Sequence, residues 1–189
     1  MGSLSEFQSG STLDEKRGDL WVFGYGSLMW RPGFEYKSRC KASITGWRRR
    51  LCIYSHVYRG TAERPGLVLG LDEGGACAGI AFCVDARLRD TTIRYLRERE
   101  LVTSVYKEDL IWATLETGEK VEVLAYLADT EHSQYAPPMD HDKLLALVRR
   151  GVGQSGDNSE YILNTLDHLH ENGIADIELE WLAERLRKA

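Results

Sequence analysis

The stretch DLIWATLETGEKVEVLAYLA, residues 109–128, carries the strongest β-hairpin pattern in the chain. Two runs rich in aliphatic, β-branched and aromatic residues flank the tetrapeptide Glu-Thr-Gly-Glu at 116–119. Short polar connections that contain glycine are typical of the turn between two antiparallel strands. The stretch therefore predicts a pair of antiparallel strands.

Four more strands are predicted on the N-terminal side of this hairpin. LWVFGY at 20–25 has the composition of a short buried strand, and SITGWRRRLCIYS at 43–55 has a β-like composition. GLVLGLDEGG at 66–75 ends in a turn pattern and leads into the apolar run ACAGIAFCV at 76–84. These last two segments predict a second hairpin, with its turn at the two glycines.

Helical patterns occupy the remaining segments, at 87–102, 138–152, 155–173 and 175–189. In the third of them Asp157 is a candidate N-cap with Glu160 three residues on, and Gly173 is a candidate stop. Six strands that enclose one helix and precede three more indicate an α+β domain with a mostly antiparallel sheet or a small barrel. We expect this domain to cover residues 19–189, and the polar residues 1–18 to form a flexible leader.

Composition excludes several classes of protein. The 189 residues carry a formal net charge of −5, which argues against nucleic-acid binding. The dense basic run at 48–50 is predicted to be a solvated strand edge. The four cysteines form no Cys-x-x-Cys pair, so neither a zinc site nor a redox site is predicted, and free thiols favour a cytoplasmic location. The sequence contains no signal peptide and no long apolar run, so no membrane association is expected.

The segment WVFGYGSLMW, residues 21–30, raises three possibilities. A dinucleotide-binding loop is rejected, because Met29 occupies the position of the third glycine and no helix pattern follows. A serine-hydrolase elbow is disfavoured, because Ser27 directly follows Gly26 and no glycine comes two positions later. An anion-binding nest of backbone N–H groups and a plain tight turn with Tyr25 in the core both remain open.

Glu100 lies on the apolar face of the first predicted helix. It follows Leu96 by four positions and Ile93 by seven, whereas Glu98 points to the opposite side. A carboxylate on a buried face needs a partner or a task, and burial raises its pKa toward the range of a general base. The alternatives are an ion pair with a neighbouring arginine and an exposed, frayed helix end.

With these features placed, the chain resembles the γ-glutamylcyclotransferases, and within them the ChaC-type, glutathione-specific branch. Four segments carry the resemblance and occur in the family order. They are VFGYGSLMW at 22–30, YRGTAERPG at 58–66, YLREREL at 95–101 and GVGQSGDNSEYILNT at 151–165. One departure is Leu67, which stands where many family members have arginine directly after Pro-Gly.

The resemblance implies a small β-barrel or curved sheet flanked by helices, and a lyase that cyclises the γ-glutamyl group of glutathione to 5-oxoproline and releases cysteinylglycine. It implies that Glu100 is the catalytic acid and base, with no metal or organic cofactor. Tyr106 and Arg59 are weaker substrate-binding candidates. The residues implied to bind the γ-glutamyl group are Val22, Phe23, Gly24, Tyr25, Gly26, Ser27 and Leu28.

Three other functions compete with this one. The first is the same cyclisation of another γ-glutamyl amino acid or amine. The second is a non-catalytic regulatory module that binds a ligand on the same scaffold. The third is a serine hydrolase that acts through Ser27. For the main function we expect glutathione as the small-molecule partner, neither nucleic acid nor membrane as partners, and a chain for which a monomer is plausible.

Overall fold

A computed structural model describes residues 13, 14 and 16–188. Seven strands and four α-helices are present among these residues. The strands are β1 (Leu20–Gly24), β2 (Ser38–Ser55), β3 (Gly66–Val84), β4 (Tyr106–Leu115), β5 (Lys120–Ala128), β6 (Val152–Gly153) and β7 (Gly156–Asp157). The helices are α1 (Arg89–Glu100), α2 (His141–Arg150), α3 (Asn158–Glu171) and α4 (Ile177–Arg187).

Strands β1 to β5 form a closed barrel in the order β1-β3-β2-β4-β5. All pairs in it are antiparallel except β1 with β5, which run parallel and close the barrel. Val22 and Phe23 of β1 are fully buried, as expected for a strand between two partners that is covered on both faces. The predicted α+β class with a small, mostly antiparallel barrel is confirmed.

The β4–β5 hairpin lies where the sequence predicted it. Gly118 has a φ of +88° in the connection, and the Leu115 N–H donates to the Glu119 carbonyl at 2.8 Å. A glycine reaches this backbone conformation without steric cost, which is why the turn forms here. The hairpin thus follows from local sequence alone.

The second predicted hairpin is wrong, because residues 66–84 form one continuous strand. Gly74 and Gly75 have φ values of +94° and +69°, and they lie opposite an irregularity between Thr45 and Trp47 of β2. Positive-φ glycines form β-bulges as well as turns, and a bulge bends a strand without ending it. The real connection between β2 and β3 is the loop at 56–65.

The four predicted helices are all present, each shorter than its pattern by a few residues. Asp157 takes the N-cap position of α3 but makes no capping hydrogen bond with its side chain, and Gly173 follows the helix with a φ of +65°. None of the helices in the described part of the chain is long and apolar enough to cross a bilayer. Most of the predicted leader, 1–18, lies outside the described residues; within it, Leu13 packs on the core.

Candidate active site

The candidate site is a pocket of about 210 Å³ at one end of the barrel. Strands β1 and β5 run parallel, and β4 runs against β5, so the end of β1, the end of β5 and the start of β4 meet there. Helix α1 ends at the same place, because its last residue leads into β4 after a five-residue loop. The residues that line the pocket are Tyr25, Gly26, Ser27, Leu28, Val68, Leu69, Glu100, Tyr106, Tyr126 and Tyr161.

The glycine loop, residues 24–28, starts at the last residue of β1 and lines the pocket from Tyr25 onward. A Cβ atom on Gly79 of β3 would collide with the Gly24 carbonyl oxygen, so only a glycine lets β1 reach this position. No described residue accepts a hydrogen bond from the backbone N–H groups of Gly26, Ser27 or Leu28. Successive N–H groups of this kind are the donors from which an anion-binding nest is built.

Arg49 binds the backbone at the start of the glycine loop. Its Nε donates to the Tyr25 carbonyl at 2.7 Å, its Nη2 donates to the Ala78 carbonyl at 2.6 Å, and its Nη1 lies 3.3 Å from Asp176 Oδ2. Its side chain is 4% exposed. The prediction that residues 48–50 form a solvated edge is therefore wrong for Arg49, which sequence reasoning missed.

Arg50, the next residue of the same run, is also buried and not solvated. Its Nε donates to Asp72 Oδ2 at 2.8 Å, and its Nη2 donates to the Ala136 carbonyl at 2.7 Å. A buried arginine is tolerated where its donors meet acceptors such as carboxylates and carbonyls, and here those acceptors come from residues far along the chain. Only Arg48, with 47% of its side chain exposed, resembles the predicted edge.

Glu100 is the last residue of α1, and its side chain is 18% exposed. Burial raises its pKa above the usual range, and the positive charge of Arg99 opposes that rise. Arg99 Nε lies 3.1 Å from Glu100 Oε1. The carboxylate is thus both turned into the pocket and paired with a neighbouring arginine, which combines two of the alternatives that the sequence left open.

Two tyrosines of the pocket bind the same backbone residue of β3. The Tyr106 hydroxyl donates to the Leu69 carbonyl at 2.8 Å, and the Leu69 N–H donates to the Tyr161 hydroxyl at 3.1 Å. Burial raises the pKa of both phenols, and the nearby Glu100 carboxylate raises that of Tyr106 further. Both phenols therefore stay neutral and available as hydrogen-bonding groups at the wall of the pocket.

Tyr25 and Tyr126 complete the aromatic wall. Tyr25 is both a core residue and a pocket-lining one, with 9% of its surface exposed. The Tyr126 hydroxyl donates to Glu108 Oε2 at 3.1 Å, and Glu108 in turn pairs with Arg97 at 2.7 Å. Neither Tyr126 nor Tyr161 has a sequence pattern of its own that singles it out, although Tyr161 lies within the 151–165 segment that carries the family resemblance.

A second pocket of about 210 Å³ adjoins the first and shares Val68, Glu100 and Tyr106 with it. Its other walls come from the end of β2, the loop after it, the α1–β4 loop and the segment after β5. They include Ser55, His56, Val57, Tyr58, Arg99, Val102, Thr103, Val105 and Gln134. Glu100 therefore lies on the boundary between two cavities.

Some predicted site residues lie elsewhere. Val22 and Phe23 are in the core, and Gly24 pairs with Ile80 of β3, so the pocket begins at Tyr25. Arg59 lines neither pocket; its guanidinium carbon lies 5.4 Å from the centre of the Tyr161 ring, and its Nη1 donates to the Asp157 carbonyl.

Leu67, the departure from the family pattern, is fully buried. Its backbone N–H donates to Asn158 Oδ1 at 2.7 Å, and its carbonyl accepts from Asn158 Nδ2 at 2.8 Å. The asparagine of the 151–165 motif thus joins the start of α3 to the start of β3. This side chain supports the position of the strand that carries Val68 and Leu69, and its function was not predicted.

Curated relatives share sequence with most of the chain. A glutathione-specific gamma-glutamylcyclotransferase of Escherichia coli K12 is 30% identical over 171 residues, which are 90% of this chain and 74% of that one. A protein of the same name from Schizosaccharomyces pombe is 32% identical over 195 residues, covering 90% of this chain and 94% of the other.

The fold also has a solved counterpart. A crystal structure of a gamma-glutamyl cyclotransferase specific to glutathione from yeast superposes with a TM-score of 0.78 at 22% identity, over 90% of this chain and 96% of that one.

The model of the ChaC-like protein family matches residues 20–189, which include the whole barrel, the glycine loop and Glu100. The chain belongs to the ChaC-like protein family.

Proposed function

We propose that this protein cyclises the γ-glutamyl group of glutathione, releasing 5-oxoproline and cysteinylglycine. The observation that carries the proposal is the largely buried Glu100 carboxylate in the pocket that the glycine loop lines. Relatives at about 30% identity are named for this activity and this substrate. A pocket enclosed by aromatic rings also fits a small substrate that must be held in a folded conformation.

The reaction needs no water and balances within the substrate. The α-amine of the γ-glutamyl group attacks its own γ-carbonyl carbon, which forms the ring C–N bond. The amide bond to the cysteine nitrogen then breaks. One proton leaves the attacking amine and one reaches the departing nitrogen. A single carboxylate that accepts the first and returns it satisfies both requirements, and Glu100 is proposed for this role.

The glycine loop is proposed to bind the γ-glutamyl group through the free N–H groups of Gly26, Ser27 and Leu28. Such donors stabilise a developing oxyanion by about 3 kcal/mol each when they are preorganised. Arg49 supports this role, because it fixes the Tyr25 carbonyl at the start of the loop. Folding the substrate back on itself supplies up to about 7–11 kcal/mol by placing amine and carbonyl in contact.

The second pocket is proposed to hold the cysteinylglycine half. During the reaction the γ-carbonyl carbon is bonded to both the attacking amine nitrogen and the departing amide nitrogen. Both nitrogens must come within reach of Glu100. Because Glu100 lies on the boundary of two cavities, one can enclose the ring that forms while the other receives the leaving group. Exposed apolar side chains at Val57, Tyr58 and Val102 leave this second pocket open to solvent.

The proposal is tested by incubating the purified protein with glutathione and measuring both products by mass spectrometry. Equal amounts of 5-oxoproline and cysteinylglycine are expected. γ-Glutamylalanine and a γ-glutamylamine are assayed in parallel, because release of 5-oxoproline from these alone would reassign the substrate. Absence of product from every donor, with ligand binding retained, would favour a regulatory module; labelling of Ser27 by a fluorophosphonate would favour a hydrolase.

A Gly26→Val variant tests the role of the loop. A Cβ at this position meets only Leu69 Cδ1, at 3.7 Å, so the backbone has room for a side chain. Because Gly26 lines the pocket, the valine methyl groups enter the space proposed for the γ-glutamyl group. We expect the fold to persist and the affinity for 5-oxoproline, measured by calorimetry, to fall at least about tenfold, a loss of about 1.4 kcal/mol. Unchanged affinity would remove the loop from the binding site.

A cytoplasmic location is also proposed, from the state of the cysteines. All four cysteines are free thiols, and three of them are buried. Free thiols persist in a reducing compartment, whereas secreted domains of this size more often pair them.

A further inference from the structure

The guanidinium of Arg99 contacts both parts of the candidate site. Its Nη2 donates to Ser27 Oγ at 3.0 Å in the glycine loop, and its Nη1 donates to the Arg31 carbonyl at 2.6 Å and to the Pro32 carbonyl at 3.3 Å. Its Nε lies 3.1 Å from Glu100 Oε1. One planar group therefore joins the loop, the segment after it and the carboxylate.

Helix α1 holds this arginine in place. The Tyr95 hydroxyl, one helical turn earlier, accepts from Arg99 Nη1 at 3.1 Å. Gly33 lies against the same tyrosine: it has a φ of +75°, and a Cβ there would collide with the Tyr95 hydroxyl. The segment at 31–33 thus lies directly on α1, so the guanidinium has little freedom to shift.

From this geometry we propose that Arg99 is a positioning residue that keeps the glycine loop in register with the Glu100 carboxylate. Arg99 and Ser27 are 72 positions apart in the chain, so no local geometry sets the distance between loop and helix. A planar guanidinium with five donors can satisfy several acceptors at fixed angles, which a lysine ammonium cannot. The catalytic meaning rests on the proposed function, because it assumes that Glu100 is the base.

Arg99 also acts on the charge of Glu100. Burial raises the pKa of this carboxyl, and the Arg99 cation lowers it. Removing the cation leaves the effect of burial unopposed, so the pKa of Glu100 rises. A base must be ionised to accept a proton, and activity would then fall off at a higher pH than in the wild type. The other titratable groups that line the two pockets around Glu100 are Tyr25, Tyr54, His56, Tyr58, Tyr106, Tyr126 and Tyr161.

The kinetic experiment compares Arg99→Gln and Arg99→Lys with the wild type, each by the dependence of kcat/KM on pH. Arg99→Gln is expected to lower kcat/KM by about 10²-fold, the cost of displacing reacting groups by 1 Å. It is also expected to move the acid limb of the profile to higher pH, because the Arg99 cation no longer lowers the pKa of Glu100. Arg99→Lys keeps the positive charge but lacks the planar guanidinium with its several donors. It should therefore return the acid limb toward the wild-type position, while kcat/KM stays low.

Two controls isolate these effects. Arg94→Gln removes the same charge from an exposed position of α1 and should change neither quantity. A His56→Gln background prevents that imidazole, which lines the second pocket, from contributing to the limb. The proposal is overturned if both Arg99 variants have the same acid limb and the same kcat/KM as Arg94→Gln. It is also overturned if Arg99→Lys restores both the acid limb and kcat/KM to their wild-type values.

A second measurement does not depend on turnover. The protein is labelled with ¹³C at the glutamate carboxyl groups, and the Glu100 signal, assigned with Glu100→Gln, is titrated by NMR. In Arg99→Gln the pKa of Glu100 should rise, and the backbone amide signals of Gly26 and Ser27 should shift, while Arg94→Gln changes neither. If the wild type makes no 5-oxoproline, the proposed function fails, but unchanged signals in this titration are what would refute the role of Arg99.

Discussion

Replacing Glu100 by Gln is expected to reduce 5-oxoproline formation from glutathione by about 10²–10⁴-fold, the range that a positioned general base contributes. Glutamine has nearly the same shape but cannot take a proton from the attacking amine. The barrel should remain folded, because the substitution replaces a largely buried carboxylate with a neutral side chain. Burial disfavours the charged form of this carboxyl group, as the raised pKa of Glu100 indicates. Product formation is measured by mass spectrometry, and binding of 5-oxoproline by calorimetry shows that the pocket is intact.

The matched control is Glu98→Gln, two residues earlier in the same helix. Glu98 is exposed and lines neither pocket of the candidate site, so this variant should turn over glutathione like the wild type. The same chemical change is thus made inside and outside the pocket. Near-normal turnover of Glu100→Gln would assign the proton transfer to another group, and an equal loss in both variants would indicate a general effect of charge on the helix.

Replacing Asn158 by Ala is expected to be the most destabilising of the changes considered. The fully buried side chain accepts from the Leu67 N–H and donates to the Leu67 carbonyl, so its loss leaves two backbone groups without their partner. Each unsatisfied buried group costs about 1–3 kcal/mol, which gives about 2–6 kcal/mol in total. Because domains are stable by about 5–15 kcal/mol, this loss is a large share of the free energy of unfolding.

Urea unfolding followed by circular dichroism measures this free energy. Asn164→Ala, at an exposed position of the same helix, is the control and should change stability by no more than about 0.5 kcal/mol. Asn158→Asp is a second probe, because aspartate keeps an acceptor but loses the donor and introduces a buried charge. If Asn158→Ala were as stable as Asn164→Ala, the link between α3 and β3 would contribute nothing to the fold.

Local patterns were sufficient where the deciding contacts are close in sequence. The turn at 116–119 needs only Gly118 and the strands beside it, and each helix needs only its own apolar spacing and end residues. Helical spacing was also enough to turn Glu100 inward, since residues 93, 96 and 100 share one face of α1. These parts of the structure depend on dihedral preferences and on neighbours within about one turn.

The same local rules failed at residues 66–84. Two glycines after an acidic pair fit a turn as well as a bulge, because both use positive φ. What distinguishes them is the partner strand: β2 continues beside β3 on both sides of the glycines. A single stretch of sequence contains no information about that partner.

The sequence by itself determined the α+β class, the β4–β5 hairpin, the helices and the two elements of the candidate site, the glycine loop and Glu100. Only the tertiary structure decided that Arg49 and Arg50 are buried, that Asn158 holds Leu67, and that Arg99 joins Glu100 to a loop 72 positions away. The reason is physical: a charged or polar side chain can be buried only if its partners are there to meet it, and those partners come from strands and helices that the closed barrel brings together.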